Sequence, residues 1–185
     1  MFKIYLSGSI QKGDSDPRPH SYFWTREDEI FLEENIRSDI KLLNPAKTPI
    51  RRNNFYLNYG CDLYLVKIAD VVLVDLRRSK GIGVGAELMF ASMHSIPVIA
   101  WLPDDSEYKK DVVRNVSGED LYDWVHPFAY GLCDKHVSDL DAACREINDM
   151  IKNRNISKQS FRTPEHAIGE FQKAYPDLVD DNSKT

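Results

Sequence analysis

Glu87 and Asp62 are the residues of this sequence best placed for bond chemistry. Glu87 follows a glycine-spaced turn, Gly81-Ile82-Gly83-Val84-Gly85-Ala86, which itself follows the apolar run Val71-Val72-Leu73-Val74. The run reads as a buried parallel strand, and Leu88-Met89-Phe90-Ala91 continue from Glu87 as a helix packed back on the sheet. Glu87 is therefore expected in the first helical turn, where backbone N–H groups and the macrodipole favour the ionised form. An ionised carboxylate is what attack on an electrophilic sugar carbon requires. Glycines at 81, 83 and 85 clear side chains from the place where a ligand would approach the backbone. Asp62, in Tyr59-Gly60-Cys61-Asp62-Leu63, offers a second carboxylate as proton donor or acceptor. One carboxylate attacking the anomeric carbon while another group manages the leaving-group proton is the arrangement of retaining glycoside chemistry. Taken alone, each residue also fits a blander role, Glu87 as a helix-start charge and Asp62 as a solvated helix acid.

The elements that must position these groups alternate along the chain. Phe2 to Ser7 reads as a central strand ending in the small, polar loop Gly8-Ser9-Ile10-Gln11-Lys12-Gly13-Asp14. A helix is expected from Trp24 to Ile36 with Thr25 or Ser21 as its cap, a short strand from Ile40 to Leu43, and a helix over 53–67. Asp70 to Leu76 and Ile96 to Leu102 read as strands, Trp124 to Tyr130 as an edge strand, and Val137 to Asn153 as a helix capped by Ser138. The stretch 104–123 reads as a polar surface excursion, and Pro164 and Pro176 as breaks in the tail. The alternation predicts an α/β three-layer sandwich with a flavodoxin-like or Rossmann-like parallel sheet of about five strands. Right-handed crossovers bring the loops after Ser7, Asp75 and Leu102 to one sheet edge, so Tyr5, Ser9, Asp75 and Glu87 are expected to converge on one crevice.

Composition narrows the function classes. The 185 residues suit one domain with a full core, and a net charge of -5 argues against a phosphate-neutralising face for a nucleic-acid polymer. Gly81-x-Gly83-x-Gly85 is not the dinucleotide fingerprint, and no P-loop motif occurs. Cys61, Cys133 and Cys144 lack a paired C-x-x-C spacing, and the histidines lack metal-ligand spacing, so neither a disulfide framework, a metal nor a cofactor is called for. No signal-peptide pattern and no membrane-length apolar run occur, which predicts a cytoplasmic protein acting on small molecules.

The chain resembles the nucleoside 2-deoxyribosyltransferase superfamily, including its nucleoside 5'-monophosphate N-glycosidase branch. The matching residues are Ile4-Tyr5-Leu6-Ser7-Gly8-Ser9, Asp62 before Ala69-Asp70-Val71-Val72-Leu73-Val74, Gly83-Val84-Gly85-Ala86-Glu87-Leu88 and Pro97-Val98-Ile99, with a weaker echo at His126-Pro127-Phe128. The resemblance implies a catalytic domain over residues 1–156 and a C-terminal tail, 157–185, packing on a neighbouring subunit of a homo-oligomer. It implies Glu87 as the nucleophile, Tyr5 orienting it, and Asp62 handling the proton on the nucleobase. A tyrosine on the first strand can donate its hydroxyl to Glu87, which agrees. Gly8, Ser9, Gln11, Lys12, Asp75, Gly81, Gly83 and Gly85 are expected around the substrate, with Lys12 neutralising a 5'-phosphate as a point charge. The expected reaction is cleavage of a (deoxy)nucleoside N-glycosidic bond and transfer of the sugar to another base, the alternative being hydrolysis of a nucleoside 5'-monophosphate. A nucleotide-sensing module without turnover is the rival from another class.

Overall fold

The structure is a computed structural model and describes residues 1–11, 16–48, 54–153 and 163–176. Its centre is a parallel sheet of β1 (Phe2–Ser7), β2 (Ile40–Leu43), β3 (Val71–Asp75), β4 (Val98–Trp101) and β7 (Lys135–Val137), in the order β2-β1-β3-β4-β7. Helices α1 (Arg26–Asn35) and α5 (Leu140–Asn153) contribute to one buried layer, and α2 (Phe55–Lys67), α3 (Ile82–Met93) and α4 (Pro127–Gly131) to the other. This is the expected three-layer α/β sandwich with the flavodoxin-like strand order. The order reverses between β1 and β3, so a crevice opens outside their carboxyl ends.

Alternation along β1 decides which residues see which layer. Ile4 and Leu6 join the cluster with Leu32, Ala143 and Ile147, whereas Tyr5 faces the α2/α3 side with Val66, Val72 and Leu88. The register pairs Tyr5 with Val72 and Ser7 with Val74, bringing the end of β1 level with the end of β3. Helix α1 starts where expected, because Thr25 closes a capping box with Asp28.

Several elements differ from the sequence reading. The stretch 104–125 contains an antiparallel ribbon, β5 (Lys109–Arg114) paired with β6 (Asp120–Val125), outside the main sheet. Trp124 therefore belongs to the ribbon rather than to a sheet edge, and Pro127 sits in the first turn of α4, where its missing N–H costs nothing. The fifth sheet strand is Lys135–Val137, too short to display a pleat-period pattern in sequence. Asp139, not Ser138, caps α5, its carboxylate accepting from Ala142 N–H at 2.7 Å. Pro164 likewise opens a helix, α6 (Pro164–Ala174), with Thr163 as N-cap. Among the described residues, no helix is long and apolar enough to cross a membrane.

Candidate active site

Glu87 lies in the second turn of α3, not the first, because the helix already begins at Ile82 and takes Gly83 and Gly85 into its opening turn. Its carboxylate is thereby carried past the helix N-terminus and over the end of β1. Only 8 % of the residue is exposed, and Oε2 accepts a hydrogen bond from Ser7 Oγ at 2.6 Å. Burial pushes the Glu87 pKa up to about 7, the nearby negative charge of Asp62 adds to that, and Ser7 and Tyr5 oppose it. The expected fully ionised, dipole-stabilised carboxylate is thus corrected to one poised near neutrality, where a small change in surroundings switches its charge.

Tyr5 and Ser7 are neighbours on the same face of β1 and both are fully buried beside Glu87. Burial first, then the charges of Glu87 and Asp62, push the Tyr5 phenol far above its usual range, which keeps it a neutral donor. Its hydroxyl is close enough to favour the charged form of Glu87, yet no hydrogen bond of ordinary geometry closes on Tyr5 Oη. A buried hydroxyl without a hydrogen-bond partner, next to a buried carboxylate, is an exception of the kind that functional sites collect.

Asp62, half-buried on α2, and Glu87 both line an open crevice of about 500 Å³ together with Gly8, Ser9, Arg18, Gly81 and Gly83. Burial raises the Asp62 pKa above the ordinary carboxylate value. A side chain at Gly81 or Gly83 would meet open space, so these positions keep the crevice wide rather than relieve crowding. Gly8 differs. A Cβ there would stand 3.0 Å from Trp24 Nε1, the atom that donates to Ser7 carbonyl at 2.9 Å and holds the end of β1 in place.

Gly85, Gln11 and Asp75 fall elsewhere than expected. Gly85 faces an adjoining pocket rather than the crevice, and Gln11 is exposed and outside the crevice wall. Lys12 lies outside the described residues. Asp75 is fully buried with both oxygens committed: Oδ1 accepts from Arg77 N–H at 3.0 Å and Arg77 Nε at 2.9 Å, and Oδ2 from Lys80 Nζ at 2.9 Å. The two bases that follow the strand claim the carboxylate, so Asp75 positions loops and leaves the substrate to others. Lys80 Nζ also donates to Tyr22 carbonyl at 2.8 Å and Arg77 Nη2 to Phe23 carbonyl at 3.2 Å, which tethers residues 20–23 to the β3–α3 loop. Burial lowers the Lys80 pKa while Asp75 raises it. Removing either partner of such a buried pair costs about 3–5 kcal/mol.

Sequence reasoning missed two site residues. Ser7 was legible in principle, since it stands two positions from Tyr5 on one strand face. Arg18 had no such signal, because only the loop path returns it to the crevice. Its Nε and Nη2 fork onto Asp16 at 2.9 and 2.6 Å, its Nη2 also donates to Ile10 carbonyl at 2.7 Å, and its guanidinium lies 5.8 Å from the Phe23 ring. Among the described residues, no group of three or more His, Cys, Asp or Glu is gathered as a metal site.

No protein-family model and no curated protein matches the sequence. The structure is similar to that of a conserved protein from Enterococcus faecalis V583, with 20% sequence identity and a TM-score of 0.54, over 80% of this chain and 98% of that one. At that identity the similarity establishes the shared α/β fold and nothing finer.

Proposed function

We propose that this protein cleaves the N-glycosidic bond of a nucleoside or nucleotide through a covalent glycosyl-Glu87 intermediate. The observation that carries this reading is the Glu87 carboxylate, buried at the carboxyl end of β1, gripped at Oε2 by Ser7 and sharing a crevice with a second carboxyl group, Asp62. The grip leaves Oε1 to attack the anomeric carbon. As the C1'–Oε1 bond forms, the C1'–N bond breaks, its electron pair goes to the base nitrogen, and a proton from Asp62 neutralises the base. Tyr5, a buried neutral hydroxyl beside Glu87, favours its charged form, and so supports the carboxylate before attack and again as charge returns to it when the sugar departs. A second base, or water, then attacks C1' and expels Glu87, with Asp62 taking up the incoming proton. Transfer to a base is the first form of the reaction and hydrolysis the second.

Arg18 favours the hydrolytic, phosphate-bearing form. It is a cation in the crevice wall, pre-oriented by Asp16 and Ile10, and guanidinium suits a phosphate better than a lysine does. Incubation with nucleosides and 5'-monophosphates, with and without an acceptor base, followed by chromatography of released bases, tests both forms. Monophosphates are expected to turn over faster, and Arg18→Ala to erase that preference while sparing free nucleosides. A preference that survives Arg18→Ala assigns the phosphate to other groups, and no base release from any substrate removes the enzymatic reading.

The site is also expected to work in a homo-oligomer. On the helices that carry Asp62 and Glu87, Phe55, Tyr56 and Ile82 are 79%, 80% and 95% exposed, and Phe128, Ile168 and Phe171 extend the apolar surface on α4 and α6. Exposed large apolar side chains of this kind commonly mark association, and a two-fold contact is its usual form. Light scattering on the full chain should report at least a dimer; a fully active monomer overturns this expectation.

A further inference from the structure

Ser7 ends β1 with its backbone pinned on two sides. It is level with Val74 of β3, and its carbonyl accepts from Trp24 Nε1 at 2.9 Å, while Trp24 packs on Trp101 with ring centroids 5.8 Å apart. The side chain is thereby presented to the α2/α3 layer, where its hydroxyl donates to Glu87 Oε2 at 2.6 Å with both residues buried. A serine hydroxyl is commonly satisfied by a backbone group close by in sequence. This one bonds a carboxylate 80 residues onward instead. Tyr5 Oη has no hydrogen-bond partner, so among the described residues the hydrogen bond on the Glu87 carboxylate is the one from Ser7. Asp62 and, beside Tyr5, Cys61 face this group from α2, and Arg18 stands in the wall of the same crevice with its guanidinium engaged by Asp16. Burial raises the Glu87 pKa to about 7, the Ser7 hydrogen bond opposes this ahead of Tyr5, and the charge of Asp62 adds to it.

A hydrogen bond to a carboxylate strengthens with the charge its oxygen carries. In the glycosyl-enzyme of the proposed reaction, Oε1 is bonded to C1' and Oε2 is the carbonyl oxygen of a neutral ester, so the Ser7 bond is weakest there. When a second base or water attacks, a C1'–N or C1'–O bond forms and the C1'–Oε1 bond breaks. The electron pair of the broken bond goes to Glu87, and Asp62 takes the proton of the incoming group. The returning charge is shared with Oε2, and the Ser7 bond strengthens as it arrives. On the way in the same bond holds charge on the nucleophile and gives no help to attack. Its benefit falls on the second step.

We infer that Ser7 is a positioning residue that acts through Glu87 to make it a good leaving group, and so sets the lifetime of the glycosyl-enzyme, an inference that rests on the proposed reaction.

Ser7→Ala and Ser7→Cys test this, the second keeping the volume of the side chain while its thiol is only a weak donor. Titration of the Glu87 carboxyl carbon resonance requires no turnover. In both variants, with the fold checked by melting, the Glu87 midpoint is expected above the wild-type value of about 7. Rapid-quench mass spectrometry then follows the adduct, using a substrate whose leaving group departs without a proton and a pH above the midpoints of all three proteins. Adduct formation should be as fast as in the wild-type protein or faster, and its breakdown with an acceptor base about tenfold slower, so that adduct accumulates. A Glu87 midpoint unmoved or lowered in a folded variant overturns the inference. So do formation and breakdown slowed alike, the mark of a general distortion, and a Ser7→Cys protein equal to wild type, the mark of a packing role. An adduct whose lifetime is the same in all three proteins removes the part given to Ser7 and leaves the reaction standing. No adduct on the wild-type protein with any substrate ends the reaction and this inference together, even where the Glu87 midpoint moves.

Discussion

Glu87→Ala is expected to lose on the order of 10⁴-fold or more in kcat/KM while the fold stays intact, because the variant removes the carboxylate proposed to form the covalent bond. Single-turnover mass spectrometry should find the glycosyl adduct on Glu87 in the wild-type protein and on no residue of the variant. Retention of near wild-type kcat would end the assignment. The same residue makes a stability prediction of opposite sign. The Glu87 pKa is raised to about 7 in the folded protein from an ordinary 4.5, chiefly by burial. Below the ordinary value the group is protonated in both states and contributes no pH dependence. Between the two values the folded state keeps a proton that the unfolded chain has released, so stability falls as pH rises through this window. Above about 7 the full cost of an ionised, buried carboxylate is present, about 3 kcal/mol. Glu87→Gln removes that cost and still accepts the Ser7 hydrogen bond. It should therefore melt higher than the wild-type protein at about pH 8, with the gain shrinking as pH falls toward the ordinary carboxylate value. A lower Tm for Glu87→Gln at alkaline pH would show that the carboxylate supports the fold instead of burdening it. Activity lost and stability gained by substitutions at one position is the signature of a group retained for chemistry.

The parts of this site legible in the sequence were those set by strand period and by position relative to strand ends. The runs Val71–Asp75 and Phe2–Ser7 are apolar enough to be read as central strands, and once they are parallel their carboxyl ends must share an edge. That reasoning brought Tyr5, Ser9 and Glu87 together. It gave no account of which charges neutralise one another locally, and so read Asp75 as a ligand contact when Arg77 and Lys80, two and five residues onward, had already taken both its oxygens. It also placed the helix start at Glu87, since glycine argues against helix interiors. Here Gly83 and Gly85 are accepted in the opening turn of α3, and the shift moves Glu87 from a site where the dipole would lower its pKa to one where burial raises it. Arg18 and the β5–β6 ribbon were out of reach for another reason. Both depend on where a polar connection folds back, which hydrophobic periodicity does not encode.

Asp62→Asn is expected to lower kcat/KM with ordinary nucleosides or nucleotides by about 10²–10⁴-fold, the usual worth of a positioned proton donor. Its diagnostic effect lies in the pH profile. The proposed reaction requires one proton over the two carboxyl groups, with Glu87 ionised for attack and Asp62 protonated for the leaving base. Activity should fall at low pH, where both carboxyl groups are protonated, and at high pH, where both are ionised, giving a bell whose limits belong to the pair and not to either residue. Burial raises both groups, and the charge of Asp62 adds to the rise at Glu87. An asparagine cannot ionise, so the alkaline limb should disappear. It also removes the like charge facing Glu87, so the single remaining limb should have its midpoint below the wild-type value of about 7. Substrates whose leaving group departs without a proton should be hurt far less than ordinary nucleosides. An unchanged bell in Asp62→Asn, or equal losses for good and poor leaving groups, would take the proton from Asp62 and assign it to solvent or to another group in the crevice.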